Sequence, residues 1–161
     1  SLEENGYYCD YLQQQVTNGN WDKDPTHHPK YQIGTRLFDD SKLINLKMSF
    51  LYSCFDYLGG PVEMVDLKSW GLITNSQVFQ TINGGWHHHD QYSELYGCVS
   101  VLSGIYYANV NSQEEGTRFE DFVAEPRLRN WIIYPGTLKH TTNKVTGLDW
   151  RILFVADLLY K

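Results

Sequence analysis

The run Gly84-Gly85-Trp86-His87-His88-His89-Asp90-Gln91-Tyr92-Ser93-Glu94 puts three of the chain's six histidines on consecutive positions and two acids within the next five residues. Imidazole and carboxylate are common ligands of divalent transition metals, so the stretch is a candidate metal-binding segment. Two spacings compete in it. His88 and Asp90 form an H-x-D pair, and His87 and His89 form an H-x-H pair. Alternate residues of a strand share a face, so the two pairs point to opposite sides. A third ligand must come from elsewhere. His140 ends the stretch "NWIIYPGTLKH", whereas His27 and His28 fall between Pro25 and Pro29 and read as surface loop residues.

Strand phase favours one pair. Counting back from Asp90, one face carries His88, Trp86, Gly84, Ile82, Gln80 and Val78, and the other carries His89, His87, Gly85, Asn83, Thr81 and Phe79. The first holds three of the four large apolar side chains, so His88 and Asp90 are expected to point inward and His87 and His89 outward. A bulge at Gly84-Gly85 would reverse this phase. Two histidines and a carboxylate, His88, Asp90 and His140, make a facial triad that suits ferrous iron and leaves positions open for substrate and oxygen. Arg151 follows eleven residues after His140 and shares a strand face with Leu153 and Val155, opposite Trp150, Ile152 and Phe154. An inward Arg needs an anionic partner, and a dicarboxylate gripped in a bidentate way at its far end would supply one.

These residues need a scaffold. At 161 residues, with 42% hydrophobic and 20% charged, the chain reads as one folded domain spanning 1–161. A short helix is expected over 2–16. A second is expected over 41–58, capped by Asp40 or Ser41 and ended by Gly59-Gly60-Pro61. Residues 1–60 thus form a helical and loop support region. Strands are expected in "SQVFQTI", "CVSVLSGIYYANV", "TRFEDFV", "NWIIYP" and "LDWRILFVADLLY", which place a sandwich, barrel or jelly-roll core at 75–160. The segment 21–40, with Trp21, His27, His28 and Tyr31, is a candidate lid over the mouth. Cys9, Cys54 and Cys98 have no paired spacing and are expected to be reduced, packed thiols.

The ordered set His88-x-Asp90, "LSGIYYAN", "EEGTRFED", "YPGTLKH" and Arg151, spanning roughly residues 78 to 157, resembles the iron(II)/2-oxoglutarate-dependent dioxygenases, in particular their prolyl-4-hydroxylase-like branch. The resemblance implies a mainly β fold, a cupin-like double-stranded β-helix braced by N-terminal helices. It implies Fe(II), 2-oxoglutarate and O2 as cofactor and co-substrates, with His88, Asp90 and His140 on the metal. Arg151 would bind the far carboxylate of 2-oxoglutarate, and Tyr107 would hydrogen-bond the same group. The implied reaction hydroxylates an unactivated C–H bond, in a prolyl residue or a small amino-acid-like substrate, and releases succinate and CO2. The chain departs from the family pattern at Thr117, where a second Gly is common, and at Ala108, where Leu is usual.

Two other readings stand beside it. His87, His89, Glu94 and His140 resemble the ligand set of cupins, which would make the chain a metal-binding small-molecule enzyme or binder. A non-catalytic β-rich interaction module would instead use the tyrosines as a binding surface. The formal net charge of −6 argues against a nucleic-acid partner, and a peptide or small-molecule substrate is expected. No apolar run approaches the roughly 18 residues of a membrane span and no signal-peptide pattern opens the chain, so the expected localisation is cytoplasmic, without a membrane partner.

Overall fold

The computed structural model describes residues 1–22, 31–77, 85–89, 91–97, 99–143 and 145–161, and of residues 93 and 94 the backbone alone. Two antiparallel sheets build a double-stranded β-helix. The larger sheet takes β1 (Tyr31–Ile33), β2 (Met64–Thr74), β3 (Ser100–Asn109), β6 (Trp131–Pro135) and β8 (Arg151–Tyr160) in the order β1-β2-β8-β3-β6. The smaller takes β4 (Thr117–Phe119), β5 (Val123–Ala124) and β7 (His140–Thr142) in the order β5-β4-β7.

Strand alternation divides the larger sheet into two faces with different tasks. On β8, Ile152, Phe154, Ala156 and Leu158 join Leu102 and Tyr106 of β3 in the core beneath the helices. Leu153 and Val155 join Ile105, Tyr107 and Tyr134 in a second core between the sheets. A strand buried on both faces reads as a near-continuous apolar run, which is why "RILFVADLLY" was legible.

The helices cover the outer face. α1 (Leu2–Thr17) opens on a capping box in which Ser1 accepts from the Glu4 amide and Glu4 reaches back to the Ser1 backbone. It buries Tyr8, Tyr11 and Leu12, and Tyr11 donates to Asp40 at 2.8 Å. Asp40 caps a 3-10 turn, Ser41–Leu43, that leads into α2 (Ile44–Leu58), so the expected helix over 41–58 begins with one tighter turn. Gly59 ends it in the left-handed region at φ 78. Among the described residues no helix is long and apolar enough to cross a membrane.

The structure departs from the sequence reading in two places. Residues 64–74 form a full strand of the larger sheet, so the sheet draws on chain before residue 75. Asp66 and Lys68 disguised this strand: they lie on its solvent-side end and pair with each other at 2.9 Å, while Leu67, Leu72 and Ile73 are buried. Second, the described part of the candidate lid is tied down. β1 pairs with β2, and Tyr31 packs edge-on against Trp21 and Trp150, with centroids 4.8 and 6.0 Å away. His27 and His28 lie outside the described residues. The strand expected at "SQVFQTI" falls mostly on 78–82, which also lie outside the described residues, as does Cys98. Cys54 is buried and Cys9 half-buried, and burial pushes their thiols up to about 12 and about 11.

The seam between α2 and the sheet depends on Gly104. A Cβ there would lie 2.6 Å from Phe50 Cε2 and 2.9 Å from Ile133 Cδ1. Phe50 is fully buried, a contribution of roughly 1.5–3 kcal/mol. Gly104→Val should therefore overpack the seam and cost about 1–3 kcal/mol, read as a lower thermal melting midpoint. An unchanged midpoint would contradict this packing.

Candidate metal centre and active site

Three imidazoles converge where the two sheets meet. His87, His89 and His140 each offer a ligand nitrogen, and the three nitrogens lie within 4.8 Å of one another. The backbone sets up the meeting: His87 and His140 exchange both amide hydrogen bonds, at 3.0 and 2.9 Å, and the His89 amide donates to Gly136 O at 2.7 Å. The "PG" turn before His140 thus holds both the distal histidine and the histidine run.

Each ring is oriented from behind through Nδ1. Backbone carbonyls only accept, so His87 Nδ1–H donates to Gly85 O at 2.9 Å and His140 Nδ1–H donates to Leu138 O at 3.0 Å. His89 Nδ1–H donates to Asp157 Oδ1 at 2.8 Å, with Ser103 Oγ 3.2 Å away. All three rings are therefore set as the tautomer whose lone pair is on Nε2. Acceptors behind the distal nitrogen are the usual support of metal-bound histidine. Tyr134 Oη lies 3.2 Å from His140 Nε2, and burial raises this phenol well above its ordinary value, so it stays a neutral donor.

The grouping differs from the strand-phase expectation. His89 is buried and faces His140, and His87, itself exposed, stacks beside His89 and tilts against His140, so both take part in the cluster. Gly85, just before the run, takes a φ of 58. Residues 85–89 have no continuous strand, only the single bridge from His87 to His140, so a phase counted from Val78 does not carry through. His88 is exposed at the cavity wall and is not in the cluster. Asp90 lies outside the described residues, and so does the side chain of Glu94.

A cavity of about 510 Å³ opens onto the cluster, and Arg151, Thr117, Leu72, Ile105, Leu153 and Val155 form part of its wall. Arg151 is 2% exposed. Its Nε donates to Glu115 O at 2.9 Å and its Nη2 reaches Gly116 O at 3.5 Å. Among the described residues no carboxylate lies within ion-pair distance of it. Desolvation lowers its pKa, opposed by Tyr107 and Glu115, yet a guanidinium remains cationic at neutral pH. Tyr107 stands behind Arg151, whose guanidinium carbon lies 5.8 Å from its ring centre. Its hydroxyl is hydrogen-bonded to Thr117 Oγ1, so Thr117, not Tyr107, lines the cavity.

Glu115 fixes the loops around Arg151. Its buried carboxylate accepts from the amides of Asn111, Thr146 and Gly147 and from Asn111 Nδ2. Asp157, Ser103, Thr117, Tyr134 and Glu115 were all missed by sequence reasoning. Extending the Arg151, Leu153, Val155 alternation by one step would have found Asp157.

No family model matches the chain, and no curated protein matches it. Solved structures do match its fold. SnoN, the non-heme alpha-ketoglutarate-dependent epimerase from nogalamycin biosynthesis, superposes with a TM-score of 0.72 at 10% identity, over 97% of this chain and 72% of its own. A Pseudomonas putida prolyl-4-hydroxylase gives 0.64 at 12% identity, over 99% and 88%. EvdO2 from Micromonospora carbonacea var. aurantiaca, complexed with 2-oxoglutarate, gives 0.60 at 11% identity, over 94% and 81%. At these identities the likeness establishes the fold.

Burial alone would raise the Glu115 pKa, but its amide donors overcome it and hold the group below the ordinary value. A carboxylate depressed in the folded state contributes stability that is present above the unfolded value and lost as pH falls through the lowered one. Glu115→Gln should melt below wild type at about pH 6, and the gap should narrow as pH falls to about 3. A gap that stays constant across that range would contradict the ionised-carboxylate role.

Proposed function

We propose that the chain is an Fe(II)/2-oxoglutarate-dependent oxygenase. One observation carries the reading: the cavity that receives three imidazoles also receives a buried arginine with no carboxylate partner among the described residues. The donor set fits the metal, since imidazole nitrogens suit ferrous iron and the Nδ1 bonds already select the ligating tautomer. The ligands are His87, His89 and His140, so the paired ligands are one residue out of step with the His88 and Asp90 inferred from strand phase.

Arg151 grips the far carboxylate of 2-oxoglutarate, because an incoming anion gives the desolvated guanidinium the partner it lacks. Thr117 Oγ1, held by the Tyr107 hydroxyl, adds a neutral hydrogen bond beside it, and Tyr107 supports the site from behind. Leu72, Ile105, Leu153 and Val155 keep the space between the two polar ends dry. When bound, iron with 2-oxoglutarate and O2 supplies the oxidising chemistry, and succinate and CO2 leave. The residues of the chain position the reactants. Hydroxylation of a C–H bond in a prolyl residue or a small amino-acid-like molecule is the finer reading. The names of the structural neighbours, an epimerase and a prolyl-4-hydroxylase, are compatible with it.

The grouping of His87, His89 and His140 also favours a second reading, a cupin-type metal enzyme that uses the same three histidines with Glu94. Arg151 separates the two, because the cupin set gives it no task.

Anaerobic addition of Fe(II) and 2-oxoglutarate should produce the weak visible charge-transfer band of a chelated 2-oxo acid. Arg151→Ala should need much more 2-oxoglutarate to reach the same band. Metal binding without a band would favour the cupin reading, and an unchanged 2-oxoglutarate requirement in the variant would remove Arg151 from its role.

A further inference from the structure

Among the described residues, His89 is the clustered histidine whose Nδ1 is backed by a carboxylate. His87 and His140 donate to neutral carbonyls, whereas His89 donates to Asp157. Asp157 sits on β8, 0% exposed, with Ser103 Oγ donating to the same Oδ1 at 2.6 Å. Its other oxygen, Oδ2, is buried and has no hydrogen-bond partner among the described residues. A carboxylate removed from water with one oxygen unsatisfied is costly unless a positive charge lies close by. Among the described residues its one ion-pair partner is His89, and Arg151 stands at the far end of the same strand face.

A three-imidazole ligand set has the complementary deficit. It brings no negative charge to a divalent ion, unlike a set with a carboxylate ligand. We infer that Asp157 is a carboxylate of this metal centre, acting through His89: it fixes the Nε2 ligating tautomer and supplies negative charge one ring away from the metal. Ser103 keeps the carboxylate aimed at the ring. Asp157 is thus a positioning residue, and the inference rests on the metal-centre reading above.

Asp157→Asn preserves shape and an acceptor for His89 Nδ1–H but removes the charge. Titration of the full chain with Co(II) should show affinity roughly 10–100-fold weaker in this variant, the range expected for loss of a partner behind a ligand. In a His89→Ala background the same substitution should have no further effect, because the path to the metal is gone. A folded Asp157→Asn protein that binds Co(II) as wild type does, or an effect of equal size in both backgrounds, would overturn the inference. Histidine-selective 15N NMR of the wild type with Zn(II) tests it without a variant. Zn(II) should move the His89 Nε2 resonance while Nδ1 stays protonated, and ligation through Nδ1 or an unaffected His89 would refute it. Failure of the wild type to bind either metal would instead overturn the metal-centre reading itself.

Discussion

One face of β8 carries a buried guanidinium at Arg151 and a buried carboxylate at Asp157, with Leu153 and Val155 between them. Two charges of opposite sign have been taken out of water on one strand, too far apart in sequence to neutralise each other. Each is left facing something else. Asp157 meets His89, and through it the other imidazoles. Arg151 meets loop carbonyls, a tyrosine ring and the cavity. Since buried charge without a close partner is costly, the same strand that stabilises the fold also favours a cation near one end of the cavity and an anion near the other.

The rest of the fold keeps that strand rigid and dry. β8 lies inside the larger sheet, hydrogen-bonded to β2 and β3 along almost its whole length. α1 and α2 cover its outer face, with Leu12 seated against Gly71 and Phe50 against Gly104. The smaller sheet contributes less surface but brings His140 within reach of the histidine run. Precise placement of the ligands on sheet and turn backbone, with a second layer of acceptors behind each ring, is what a preorganised site requires.

Much of this was legible in the sequence where one physical signal dominated. The apolar period of α2 and its glycine stop, and the alternation that turned Arg151 inward with Leu153 and Val155, follow from side-chain periodicity alone. Periodicity misled where the backbone departed from regularity. The phase of the histidine run was counted along 78–84, which lie outside the described residues, and through Gly85, whose φ is positive. β2 went unseen because Asp66, Lys68 and Ser69 interrupt its apolar pattern: the first two make a half-buried ion pair and Ser69 accepts the Phe38 amide at 2.8 Å. Asp157 and Glu115 were invisible for another reason. A buried carboxylate and a surface one look alike in sequence, and apart from Asn111 the donors that tell them apart come from distant residues: Thr146 and Gly147 lie 31 and 32 positions from Glu115, and His89 lies 68 from Asp157.

In the proposed site His87, His89 and His140 hold the metal. Co(II) affinity measured side by side in His87→Ala and His88→Ala tests it most directly, because the two neighbours make opposite predictions. Loss of His87 should weaken binding by more than the roughly 10–100-fold that follows from removing a group behind a ligand, while loss of the exposed His88 should leave affinity close to wild type. Weak binding in the His88 variant and wild-type binding in the His87 variant would contradict the account and return the ligand role to the other strand phase.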